Sequence, residues 1–205
     1  LAYASAWLKC HEPACFLAAL LNSQPMGFYG PSQLVQDARR HGVEVRPVDV
    51  LHSDWLSTLE PPGWAGAHQP AVRLGLQQVK GLGEAAARRV MQLRRRGQPL
   101  SVERLAREAG LDAGDLAALA AANALEGLAG HRRQQVWQSA ALHRAPRLLQ
   151  HAPVHEAPLA LPVASEAEAL AMDYQALGLS LGRHPLALLR PELAQRRFFS
   201  AEQLQ

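Results

Sequence analysis

The feature that most restricts this chain is Val79-Lys80-Gly81-Leu82-Gly83, followed at once by Glu84-Ala-Ala-Ala-Arg-Arg-Val90. Two glycines on either side of a leucine permit a tight turn and a close backbone approach to a ligand. The alanine-rich run behind them favours helix. N–H groups of the turn and of the helix's first turn then point outward together. The positive end of the helix makes that spot favourable for an anion. A phosphate fits there without any base being read.

The pattern resembles the hairpin of a helix-hairpin-helix DNA-binding motif. On this reading the DNA-binding candidates are Lys80, Gly81, Leu82, Gly83, Arg88 and Arg89. Leu82 is expected to plug between two helices, and the small Ala85, Ala86 and Ala87 let those helices approach. Charge agrees. Residues 79 to 96 hold Lys80, Arg88, Arg89, Arg94, Arg95 and Arg96 against the single acid Glu84, while the whole chain carries only +3. The competing reading is an ordinary interhelical turn whose arginines form a solvated face. A second, looser copy is expected downstream. There a helix over 112–121 leads into a hairpin over 122–130, and a new helix opens at His131-Arg132-Arg133. Gly130, His131 and Arg132 are its candidate phosphate contacts, weighed against plain helix packing.

Composition sets the frame. The chain has 205 residues, 48% hydrophobic and 19% charged, with a mean hydropathy of -0.12. These are globular values, and no run reaches the roughly 18–20 apolar residues of a membrane span. Two cysteines are too few for a disulfide scaffold. Of 21 basic residues, 19 are Arg and only Lys9 and Lys80 are Lys. Guanidinium donates in a fixed fork that suits phosphate.

The rest of the chain reads as mainly α with a small β element. Two helical pieces are expected over 1–22, broken near Pro13, then a loop over 24–31. A helix follows over 32–41 with Gly42 as its stop. Val43–Arg46 alternates like a strand, and 55–59 and 71–76 are two more short strand candidates. The pattern is helical from Gln77 to about Leu142. A Pro/His/Ala segment over 143–165 reads as a linker. Helices over 166–177 and from Pro185 to about Arg190 complete the chain. The opening at Leu1 reads as mid-helix, so the chain is expected to be a segment of a longer one.

Other chemistry is thinly supported. Cys10 and Cys15 stand five apart, off a common helix face, and are expected as buried thiols rather than metal ligands. His143, His151 and His155 are expected in solvent, and His184 as a helix cap. Asp112 and Asp115 suit a helix N-terminus better than a metal pair. A metal hydrolase built on the scattered histidines would need bound metal. The Met26-Gly-Phe-Tyr29 loop is expected to pack, with an interaction surface as its alternative.

Several runs together resemble the bacterial C-family DNA polymerases, and among them the error-prone DnaE-type paralogues (the ImuC group). They are Tyr3-Ala-Ser-Ala-Trp-Leu-Lys-Cys-His11, Phe16 through Ser23-Gln-Pro-Met-Gly-Phe-Tyr29, and Asp37-Ala-Arg-Arg-His-Gly-Val-Glu-Val-Arg-Pro-Val-Asp49. Arg73-Leu-Gly-Leu76, the 79–83 hairpin, Ala129-Gly-His-Arg-Arg133 and Leu177-Gly-Leu-Ser-Leu-Gly-Arg-His-Pro185 continue the likeness. The resemblance implies the end of a helical fingers domain over 1–75 and a tandem helix-hairpin-helix module over 76–142. A linker over 143–165 and a helical lead-in to an OB-type domain over 166–205 would follow. It implies a DNA-directed DNA polymerase (a nucleotidyltransferase) of damage-tolerant, SOS-type translesion synthesis, cytoplasmic and using Mg2+. The catalytic aspartates belong to a palm upstream, so no catalytic residue, metal ligand or cofactor is assigned in this segment. The implied partner is double-stranded DNA. No clamp-binding peptide stands out over 143–165, so a sliding clamp would be reached indirectly, through an ImuB-type accessory protein. A rival of another class is a protein-interaction scaffold that docks such an accessory protein.

Overall fold

A computed structural model describes residues 1–64, 68–97, 99, 101–142 and 159–199. It is mainly α with one small sheet. Helix α1 (Ala2–His11) and helix α2 (Pro13–Asn22) break at Glu12, because Pro13 has no N–H to continue α1 and is preorganised to begin α2. Ala14, Leu17, Ala18 and Leu21 of α2 recur at helical spacing and are buried, whereas α1 buries nothing. Helix α3 (Pro31–Arg40) buries Val35 and Ala38 and stops just before Gly42.

The sheet has strands β1 (Val45–Arg46), β2 (Thr58–Glu60) and β3 (Ala71–Arg73). Central β3 runs parallel to β1 and antiparallel to β2. Immediately after β3, Gly75 passes so close to Trp55, Leu56 and Ser57 that a Cβ there would collide with their backbone. A single 3-10 turn (Leu76–Gln78) then enters the Gly-Leu-Gly hairpin. The arm ahead of the hairpin is therefore this turn, where the sequence pattern predicted helix from Gln77.

Beyond the hairpin come α4 (Glu84–Arg96), α5 (Val102–Ala109), α6 (Ala113–Ala121), α7 (Glu126–Ala129) and α8 (Arg132–Ala141). Asp112 and Asp115 form a reciprocal capping box on α6. Helices α9 (Glu166–Ala176) and α10 (Pro185–Gln195) follow. His184 caps α10, its Nδ1 accepting from the Leu186 N–H at 3.2 Å. Helix α10 outruns the expected end near Arg190 and carries Pro191 within it. One apolar cluster runs from Ala14 through the strands and both hairpins to Ala176 and Leu179. Residue 75 is thus no break in the core.

Two packing expectations are corrected. Cys10 is exposed and Cys15 only half-buried, because Cys10 lies on α1, which buries none of its residues. The Met26–Tyr29 loop does not pack: Met26 and Tyr29 are exposed, and Phe28 is 92% exposed. His143, His151, His155 and most of the expected linker lie outside the described residues.

Candidate nucleic-acid interface

The first hairpin is a β-turn closed by the Leu82 N–H donating to the Val79 carbonyl at 3.3 Å. Gly81 sits at its third position with φ +87°, a left-handed value that a type II turn requires and that glycine adopts without penalty. Leu82 is 6% exposed and joins the core, with Ala86 and Ala87 buried beside it and Ala85 outside. Extended Gly83 is the N-cap of α4 and offers no side chain to the helix's first amides. The N–H groups of Gly81, Gly83, Glu84 and Ala85, all exposed residues, find no acceptor among the described residues. Four unengaged donors at one turn-to-helix junction, reinforced by the helix dipole, can accept an anion.

The basic run divides between two faces of α4. At about 100° per residue, Arg88 and Arg95 fall opposite the buried Ala87, Val90 and Leu93, and exposed Arg96 lies on the same flank as Arg89. Arg95 and Arg96 make no ion pair among the described residues, and Arg88 holds Glu84 one turn back at 2.7 Å. Arg94 turns inward, and Arg89, itself exposed, reaches across to the end of α5. The Arg89 Nε donates to the Ala109 carbonyl at 2.7 Å and its Nη2 to the Gly110 carbonyl at 3.2 Å. It thereby satisfies the C-terminal carbonyls of α5. Arg94 donates to the Ser53 carbonyl at 2.8 Å and to the Asp54 carboxylate.

Lys80, although exposed, binds back onto the chain. Its N–H donates to the Ala176 carbonyl at 2.9 Å and its Nζ to the Tyr174 carbonyl at 3.0 Å. The end of α9 is thereby latched to the hairpin. Arg132 was expected on a phosphate-facing surface but is 8% exposed. Its guanidinium donates to the Ala169 carbonyl at 2.9 Å and to the Asp173 carboxylate. That corrects its placement: as the first residue of α8 it faces α9, not solvent. Its neighbour Arg133 holds Glu168 through two bonds of 3.0 and 2.9 Å. The Arg133 charge and, first, hydrogen bonds from Ser165 keep the Glu168 carboxyl below the usual carboxylate range.

The second hairpin is more open. Gly130 is exposed with φ +73°, and the His131 Nδ1 accepts from the Gln134 N–H at 3.4 Å as the cap of α8. Fully buried Gln135 pins this turn. Its Oε1 accepts from the Leu125 N–H at 3.1 Å, and its Nε2 donates to the Gly130 carbonyl at 2.6 Å and to Asn123 Oδ1 at 2.7 Å. Sequence reasoning missed Gln135, because the buried face of α8 is made of Arg132, Gln135 and Ser139 and carries no apolar stripe to mark it, while Val136 and Trp137 are exposed. The two hairpin turns thus remain exposed at Gly81, Gly83–Ala85 and Gly130, with Lys80 and Arg89 exposed beside them though each donates to neighbouring carbonyls, while Arg132 is buried in the packing.

Among the described residues no three of His, Cys, Asp or Glu gather as a metal site, and no helix is long and apolar enough to cross a membrane.

A family model for the helix-hairpin-helix motif matches residues 42–135, spanning the sheet and both hairpins. Over 202 residues the chain is 58% identical to an error-prone DNA polymerase of Bordetella parapertussis, covering 98% of this chain and 19% of that protein. It is 57% identical over 206 residues to one from Azoarcus sp. (100% and 19%) and 52% identical over 219 residues to one from Methylococcus capsulatus (100% and 21%). The chain spans about one fifth of the length of the curated relatives it matches. With that identity from end to end, and a helix-hairpin-helix motif in its middle, the chain belongs to the family of the error-prone DNA polymerases.

Proposed function

We propose that this chain is the duplex-DNA-holding part of a DNA-directed DNA polymerase of damage-tolerant, SOS-type synthesis, cytoplasmic like the DNA it copies. It contributes grip and no chemistry. The observation that carries the reading is the set of four unengaged amides at Gly81, Gly83, Glu84 and Ala85. These amides hold one backbone phosphate, with Arg88, Arg95 and Arg96 along the next phosphates. Gly130 and His131 form a second, looser contact. Residues 1–75 are then the end of the fingers, 76–142 the tandem module, 143–165 a linker and 166–205 the lead-in to an OB-type domain.

The relatives' name supports polymerase activity for the whole protein. Mg2+ would serve that reaction, but the residues here do not fit it. Most of the described carboxylates are engaged in caps and ion pairs, as Asp115, Glu60 and Asp173 illustrate, and no three metal-ligating side chains gather among the described residues. No step is routed through a metal in this segment.

Binding to a duplex should be independent of sequence and steeply salt-dependent, because counterions leave as phosphates are neutralised. The test is a salt titration on duplex and single-stranded DNA. Changing Arg88, Arg95 and Arg96 together to Gln should lower the log–log slope by roughly 0.9 per lost phosphate contact. An unchanged slope and affinity would sink the assignment.

A second reading, a scaffold that docks an ImuB-type accessory protein, draws support from the exposed Trp7, Phe28 and Tyr29. It predicts partner capture with no DNA binding at low salt.

A further inference from the structure

A cleft of about 300 Å³ lies between the end of α3 and the connection from α9 to α10. It is lined by Gln36, Arg39, Arg40, Tyr174, Arg183 and His184, with Ser180 and Gly182 in its wall. No carboxylate lines it. We propose that this cleft is a further backbone-phosphate site, which takes a phosphodiester of the nucleic acid held by the hairpins. The inference rests on the DNA-holding reading above and extends it to a surface that lies outside both hairpins.

Three observations carry it. First, Arg39 and Arg40 are exposed and make no side-chain hydrogen bond or ion pair among the described residues. Most other described arginines are tied to a carboxylate or a carbonyl. Two unengaged guanidiniums at one cleft make a ready fork for a phosphate. The negative end of α3 accounts for a basic last turn, but not for its meeting Arg183 and His184 from a segment more than 140 residues away.

Second, the opposite wall is built in advance. Buried Ser180 donates to the Asp173 carboxylate at 2.6 Å and accepts from the Gly182 N–H at 3.0 Å. Asp173 is itself held by Arg132. The 180–184 turn is thus fixed through a partly buried chain of bonds that starts at Arg132 of α8, so little ordering is left for binding to cost.

Third, the donors face an anion in kind. His184 Nδ1 accepts from Leu186, which leaves its proton on Nε2 as a donor in the neutral ring. Arg183 spends Nε and Nη2 on Glu166 and keeps Nη1.

The test compares the full chain with an R39Q/R40Q variant, its fold checked by circular dichroism, in salt titrations on duplex and on single-stranded DNA. The expected result is weaker binding and a log–log slope lower by about 1–2 units, near 0.9 per contact. The DNA form that loses more identifies the source of the phosphate. Unchanged affinity and slope on both forms would overturn the proposal. If the unaltered chain bound neither DNA at low salt, the DNA-holding reading would fall and the cleft with it. If R88Q/R95Q/R96Q weakened binding while R39Q/R40Q did not, the cleft alone would fall.

Discussion

Arg132 shows how one residue's position decides its role. Its sequence context, Gly130-His-Arg-Arg133, is that of a phosphate contact at a helix start. Its guanidinium is instead buried and answers Asp173 and the Ala169 carbonyl. A buried pair is a weak source of net stability, but breaking one side of it is costly, because the partner charge stays behind. Arg132→Ala should therefore destabilise the chain by roughly 2–4 kcal/mol, read as a lower urea midpoint. Its effect on DNA affinity, measured where the variant is still folded, should be small. A phosphate contact would behave in the opposite way, with stability held and the salt slope reduced. Nothing in the sequence could have identified Asp173 as the partner, since 41 residues separate the two. Part of the division of the α4 arginines was legible, because the 100° helical step puts Arg88 and Arg95 on a different face from Arg94, but the same step sets Arg89 beside Arg96.

At the scale of elements, the local signals read well wherever the backbone itself is constrained. Pro13 splits α1 from α2, Gly42 follows α3, Asp112 caps α6 and Pro185 opens α10. Errors arose where tertiary context overrides local preference, as in the 3-10 turn ahead of the hairpin and in α10 running past Pro191. The three strands were legible as short apolar stretches, but their order and their charge lattice were not. Glu60 accepts from Arg73 Nε at 2.9 Å and Nη2 at 3.0 Å, and also from Arg46. Glu44 accepts from Arg46 Nε at 2.8 Å and the Gly63 N–H at 2.8 Å. Arg73, and then Arg46, hold the Glu60 carboxyl below the usual carboxylate range, and Arg46 with the Gly63 amide does the same for Glu44. Protons are then bound by the unfolded chain before the folded one. Stability should be level above about pH 5 and fall as the pH drops through the carboxylate range toward the depressed native values. Urea midpoints measured across pH check this. Glu60→Gln should lower stability at neutral pH and flatten the acid limb, and an acid limb as steep as before would assign it to other carboxylates.

For the whole molecule the main question is whether α9 and its following turn belong to the hairpin module or merely follow it. The sequence placed a linker between them, and the family model's match ends at residue 135. The structure ties them at three levels. Lys80 latches the Tyr174 and Ala176 carbonyls, Arg132 and Arg133 hold Asp173 and Glu168, and Leu179 is fully buried in the common core. Such burial has a direct thermodynamic consequence. Leu179→Ala removes three buried carbons and leaves a cavity, a change that costs about 2–5 kcal/mol in a core that relaxes only partly. If α9 and the module unfold as one unit, that loss shifts a single transition, and far-UV circular dichroism and the fluorescence of the four tryptophans move to lower urea together. If α9 docks on a module that is stable without it, a low-urea transition separates from an unchanged main one. The shared core and the three latches predict the single shifted transition. They also predict that the 180–184 turn, which walls the basic cleft, keeps its shape only while the hairpins beneath it are folded.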